Sequence, residues 1–214
     1  MGRKLSGRNP FRPRDRLEHS GGGDVRESFV EKPFVIVLNG TGSVGKTSAA
    51  KALQLVARAP LLHVQMDTFL EMLPPSMFGH PDGYIFETVE EGGKPLVAIH
   101  GGPVLARLMN GMRHAVAAMA EQGNNLVVDD VMFGGGEAEE YRRLLGKCDL
   151  RLVGLFAPLE VLEQRERDRG DRDLGLARWQ YDRVHEGVRY DLEVDTTHLT
   201  PTEVALTISR TFGV

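Results

Sequence analysis

Short apolar runs recur along the chain, each followed by residues spaced for a helix. Phe34-Val35-Ile36-Val37-Leu38, Leu61–Asp67, Asn125–Val131 and Leu150–Phe156 are such runs, and the more polar Leu192-Glu193-Val194-Asp195-Thr196 reads as a fifth strand. Nearly continuous apolar character over five to eight residues predicts strands buried on both faces, the signature of a parallel sheet. Helical stretches follow at 48–57, 68–73, 103–121, 137–145 and 159–169. In 103–121, Leu105, Leu108, Met109, Met112, Val116 and Met119 fall on one side and predict a core-facing stripe. Pro158 opens one helix, and Thr200-Pro201-Thr202-Glu203 is a capping box with proline at the first helical position. Two further runs, 84–89 and 95–100, flank Glu90-Glu91-Gly92-Gly93 and predict an inserted β-hairpin. Strands alternating with helices give an α/β fold, with a five-stranded parallel sheet covered by helices on both faces.

Residues 1–30 stand apart. They mix Arg, Gly, Ser and Pro without apolar periodicity and carry seven Lys/Arg against four Asp/Glu, within a whole chain of net charge −4. Such a segment cannot offset its ordering entropy by burial, so it reads as a disordered or appended basic tail, with 31–214 as the folded domain. Met1-Gly2-Arg3-Lys4-Leu5-Ser6 fits a myristoylation pattern, but a solvated tail is the simpler reading. The arginines lack aromatic partners, so nucleic acid is not expected. Cys148 is the one cysteine, excluding an internal disulfide, and its place before a strand predicts a buried thiol. No apolar run is long enough to span a bilayer, and no secretory signal is evident, so a cytoplasmic setting is expected.

The chemistry concentrates after the first strand. Gly40-Thr41-Gly42-Ser43-Val44-Gly45-Lys46-Thr47, followed by Ser48, satisfies G-x-x-x-x-G-K-[ST] at every fixed position and lies between a strand and a helix. Glycines let backbone N–H groups curl around an anion, and the helix N-terminus adds its partial positive charge. Lys46 is placed to reach the β- and γ-phosphates of ATP, and the Thr47 hydroxyl to meet Mg²⁺.

Ligands on such sheets sit beyond the carboxyl ends of the strands. Asp67, Asp129 and Asp130 lie at such ends. Asp67 is the candidate base for an acceptor hydroxyl, or alternatively a helix cap. Phe69, Met72, Met77 and Phe78 follow it as candidate pocket residues, with Asp130 as a further substrate contact. Either Asp129 or Asp130 can serve the metal beside Thr47. Arg165, Arg169 and Arg172 lie in a charge-dense run after the fourth strand and are candidates to close over a triphosphate as a helical lid, against the plainer reading of a solvated face. The seven histidines show no metal-ligand spacing; hydrogen-bonding or packing roles suit His185 and His198, and packing suits Trp179.

Taken together, Val37-Leu38-Asn39-Gly40, the glycine loop, Asp67, Val128-Asp129-Asp130-Val131 with Gly134-Gly135, Arg165-Glu166 and Arg169-Gly170-Asp171-Arg172 resemble the chloramphenicol phosphotransferase family. The most distinctive block is Val184–Asp191 running into Glu193-Val194-Asp195-Thr196-Thr197-His198. The resemblance covers about residues 33–212. It implies an adenylate-kinase-like P-loop kinase that moves the ATP γ-phosphate to the primary hydroxyl of chloramphenicol or a similar compound, an activity of antibiotic resistance. It also implies that Asp67 is the base, that the arginine segment is the lid, and that Thr196 and Thr197 lie at the nucleotide. Differences from the family at 41–44, Pro74-Pro75, His80-Pro81 and the hairpin fall around the acceptor pocket. Two alternatives stay open: a kinase for another hydroxyl metabolite, and an ATP-binding switch without transfer. The absence of an N-K-x-D motif disfavours a guanine-nucleotide switch. Oligomeric state is left open by the sequence.

Overall fold

β1 (Phe34–Asn39) is the middle strand of the main sheet, and all six of its residues are buried. The computed structural model describes residues 32–170 and 174–214; the tail 1–30 and Arg172 lie outside them. Side chains alternate across a strand, so β1 feeds two cores at once. Phe34, Ile36 and Leu38 pack with Leu53 of α1 (Lys46–Val56) and Ile208 of α7 (Pro201–Phe212). Val35 and Val37 face the other way, with Val116 of α3 (Pro103–Glu121) and Tyr141 of α4 (Gly135–Leu144).

The remaining strands of the sheet are β2 (Leu61–Gln65), β5 (Asn125–Asp129), β6 (Asp149–Phe156) and β7 (Leu192–Asp195). They stand in the order β2-β5-β1-β6-β7, with every pairing parallel. The expected five-stranded parallel sheet between helical layers is thus present. The separate hairpin pairs β3 (Tyr84–Glu91) with β4 (Lys94–Gly101), longer than predicted and turning at Gly92-Gly93. The Thr200/Glu203 capping box forms reciprocally at the start of α7.

Several details differ from the sequence reading. β2 stops at Gln65, and Asp67 lies in the first turn of α2 (Met66–Leu70) instead of on the strand. Buried Arg113 sits within the expected apolar stripe of α3 and pairs with Glu140 at 2.5 Å and Glu137 at 3.4 Å. Cys148 is only partly buried. A six-residue helix, α6 (Leu176–Tyr181), occupies the charge-dense stretch after α5 (Leu159–Arg169). Its position is fixed by Glu166, a buried residue of α5. The carboxylate accepts from Gly175 N–H at 2.8 Å and Ala177 N–H at 2.9 Å.

Where β1 ends, the fully buried Asn39 joins three segments. Its Nδ2 donates to Val184 O at 2.6 Å and to the Tyr190 hydroxyl at 2.7 Å, while its Oδ1 accepts from Met132 N–H at 2.8 Å. Asn39→Ala leaves these groups without partners, at about 1–3 kcal/mol for each buried one. The expected outcome is a loss of about 3 kcal/mol or more, read as a lower urea midpoint with an unchanged m-value. An unchanged midpoint would show that this junction is dispensable.

Candidate active site

The glycine loop leaves β1 at Gly40, where the backbone passes so close to β6 that a Cβ would lie 2.6 Å from the Leu155 carbonyl oxygen. Further along, Ser43 (φ 62°) and Gly45 (φ 100°) adopt left-handed conformations, which turn successive N–H groups inward as an anion nest. Lys46 folds over the loop, donating to the carbonyls of Gly40 at 2.8 Å and Thr41 at 2.9 Å. The buried hydroxyl oxygens of Thr41 and Ser43 find no hydrogen-bond partner among the described residues. Orphaned polar atoms are costly in a packed interior, and here they cluster in a loop shaped for phosphate.

Three elements support this loop. Thr196, after β7, directs its hydroxyl at the carbonyls of Val44 and Phe156, both at 3.1 Å. Gln180 of α6 accepts from Gly42 N–H at 2.6 Å. The Thr47 hydroxyl donates to Asp129 Oδ2. A hydroxyl and a carboxylate placed together at the loop suit a Mg²⁺ ion that also holds phosphate oxygens.

Asp129 and its neighbour Asp130 have opposite surroundings. Asp129 lines the cavity in front of the loop. Asp130 is turned away and buried, accepting from the Tyr141 hydroxyl at 2.8 Å and from Val131 N–H at 2.8 Å. Burial raises the Asp130 carboxyl above its ordinary value, against the Tyr141 hydrogen bond. Of the two metal candidates, Asp129 is the one beside Thr47.

The cavity has a volume of about 710 Å³. One wall is the phosphate loop with Lys46 and Ser48. Asp67, Met66, Leu70 and Glu71 line it from α2 and its end, and Arg169 and Gly170 from the end of α5. The opposite wall is the hairpin: Tyr84, Phe86, Val97 and Ile99, with Phe78 beside them. Register explains why these meet. Phe86 pairs with Ile99 and Tyr84 with Gly101, so the alternate residues share one face of the two-stranded ribbon. Phe78 packs on Tyr84 with ring centroids 4.9 Å apart. Burial, with the nearby Asp67 charge, raises the Tyr84 pKa.

Other candidate residues lie elsewhere. Phe69 packs into the core with α3 and α4, Met72 is exposed at 62%, and neither it nor Met77 lines the cavity. Arg165 does not reach the cavity either. Its guanidinium binds Thr196 O at 2.7 Å, Thr196 Oγ1 at 3.1 Å and Thr197 O at 3.3 Å, so it braces the loop's support. Thr197 is occupied with Asp195. The hairpin wall, Glu71 and Gln180 were not singled out from sequence. Period-two alternation over 84–88 and 97–101 was the available signal for the wall.

Comparison with known proteins agrees with this fold. A family model described as chloramphenicol phosphotransferase-like protein matches residues 34–213. The chain belongs to this family. "Putative O-phosphotransferase Rv2636" of Mycobacterium tuberculosis is 32% identical over 183 residues, covering 83% of this chain and 81% of the relative. Among solved structures, the Mycobacterium tuberculosis APS kinase CysC in complex with AMPPNP and APS aligns with a TM-score of 0.59 at 12% identity, over 86% of this chain and 99% of that one. Shikimate kinase from Aquifex aeolicus aligns with a TM-score of 0.52 at 16% identity, over 84% and 96%. The fold is that of the P-loop kinases, and the family places the chain among the small-molecule kinases and O-phosphotransferases. No helix among the described residues is long and apolar enough to cross a membrane.

The block that carried the family resemblance has a structural role around Asn39. The His185 ring stacks on Phe156, centroids 3.9 Å apart, and its Nδ1 lies 2.7 Å from the Tyr190 hydroxyl. Burial, helped by the Lys46 charge, lowers the His185 pKa to about 4, and burial raises the Tyr190 hydroxyl to about 12. A neutral ring accepting the Tyr190 proton fits both shifts. Because the folded ring resists protonation, the unfolded chain binds a proton first as pH falls. Stability should therefore drop from about pH 6.5 towards about pH 4. Thermal melts across that range are expected to show a shallower decline for His185→Gln than for the wild type. Parallel declines would assign the pH dependence to other groups.

Proposed function

We propose that this protein transfers the γ-phosphate of ATP to a hydroxyl of a small, largely apolar molecule, with the primary hydroxyl of chloramphenicol as the first acceptor to test. One observation carries the reading: a single cavity joins the phosphate loop to Asp67 and an aromatic and aliphatic wall. Phe78, Tyr84, Phe86, Val97 and Ile99 favour a planar or apolar acceptor over a sugar. On the acceptor side the ionisable groups lining the cavity include Asp67 and Glu71, which disfavour an anionic one.

The loop amides and Lys46 hold the β- and γ-phosphates, and Lys46 leaves the Gly40 and Thr41 carbonyls to do so. Thr47 and Asp129 would hold Mg²⁺, which would supply neutralisation of the negative charge of the phosphates. Asp67 orients the acceptor hydroxyl and takes its proton as the oxygen attacks phosphorus in line with departing ADP. Arg169, at the open end of α5, approaches the phosphates as charge develops. The expected role of Arg172 is the same. The hairpin and α6 exclude water behind the acceptor, which limits loss of the phosphoryl group to hydrolysis.

Asp67→Asn keeps the size of a side chain that stands in the first turn of α2 and not at its cap, which is Gln65, but removes the charge that receives the proton. Transfer should fall by about 10²–10⁴-fold with ATP binding retained. A fall nearer tenfold would indicate positioning alone, and no fall would remove Asp67 from the chemistry. Chloramphenicol and a 3-O-acylated derivative, assayed together for ATP-dependent mass gain, test the acceptor. Gain on the free alcohol alone is expected, whereas equal gain on both overturns the primary-hydroxyl assignment. Lys46→Ala should abolish transfer without unfolding the protein; near-wild-type turnover would contradict the loop's role.

A further inference from the structure

Gln180 enters the cavity from an element outside the phosphate-loop signature. It lies on α6, is 4% exposed, and lines the cavity beside Gly42 and Ser43. Its orientation is fixed by chemistry. Gly42 N–H can only donate, so the side-chain atom 2.6 Å from it is the amide oxygen, and the amide NH₂ is the other arm. Among the described residues no hydrogen bond engages that NH₂. The adjoining orphaned hydroxyls of Thr41 and Ser43 mark the same spot as one built for a polar ligand.

The helix carrying Gln180 is held firmly. Glu166 accepts from two N–H groups at its start, Arg178 pairs with Glu163, and the Gly175 carbonyl accepts from Val97 N–H of the hairpin at 3.1 Å. Gly175 has no room for a side chain there, since a Cβ would lie 2.3 Å from the Pro95 carbonyl oxygen. The amide is therefore presented on a scaffold that touches both the phosphate loop and the acceptor wall.

We propose that Gln180 is a phosphoryl-binding residue: its Oε1 holds the tip of the loop while its Nε2 donates to the terminal phosphate of the bound triphosphate. An uncharged donor suits this place. It adds a hydrogen bond to the transferred group without fixing another cation beside Lys46, and it does not titrate. The proposal rests on the phosphotransferase reading but concerns the third phosphate alone, so it is tested without an acceptor.

The experiment measures ATP and ADP affinity by calorimetry, with Mg²⁺, for wild type, Gln180→Glu and Gln180→Met. The glutamate keeps an oxygen for Gly42 N–H but replaces the donor with an anion. Hydrogen bonds to charged groups are worth about 1.5–3 kcal/mol, so ATP affinity should fall about tenfold or more. ADP affinity should change by less than about threefold, with an unchanged melting temperature. The methionine removes both arms, so ATP should again weaken more than ADP. Equal weakening of both nucleotides in both variants would make Gln180 a loop support only and overturn the proposal, as would no change in either. A wild type that binds neither nucleotide would overturn the phosphotransferase reading itself.

Discussion

The carboxamide of Asn39 holds together the parts on which the site depends. It stands at the last position of the central strand, immediately before the loop, and it is fully buried. One side chain there satisfies a backbone donor after β5, a backbone acceptor after α6 and the hydroxyl of Tyr190. A buried polar group with all its partners made specifies one arrangement, because any other leaves them unsatisfied. Asn39 thereby anchors the base of the loop through a side chain alone.

Support of the loop is spread over residues far away in sequence. Thr196 reaches Val44 across 152 positions, Gln180 reaches Gly42 across 138, and Asp129 meets Thr47 across 82. Thr196 and Asp129 stand at the carboxyl ends of strands, where a parallel sheet gathers its loops, while Gln180 comes from α6. Arg165 belongs to this support, gripping the carbonyls after β7. Cations thus serve two purposes here: Arg165 stiffens the frame, while Lys46 and Arg169 line the cavity.

Local signals were read well from sequence because they depend on neighbours. The glycine loop, the doubly buried strands and the Thr200/Glu203 capping box each lie within a few residues. Asp129 and Asp130 were left undecided for a physical reason: adjacent side chains on extended backbone point to opposite faces, and sequence does not say which face holds the loop. Tyr141 and Thr47 decide it. The acceptor wall was hidden similarly, since Tyr84, Phe86, Val97 and Ile99 become one surface only through hairpin register and the docking of α6 on β4. Arg113 and Glu166 look like solvated charges in sequence, and only their distant partners reveal them as buried.

The central claim is that one cavity brings a triphosphate and an apolar alcohol together for direct transfer. Phosphorus NMR of a mixture of protein, ATP, Mg²⁺ and chloramphenicol follows each phosphate through the reaction. The account predicts ADP and a phosphate monoester on carbon appearing in equal amounts, with little inorganic phosphate. ADP accompanied by inorganic phosphate alone, at a rate indifferent to chloramphenicol and to other apolar alcohols, would contradict it.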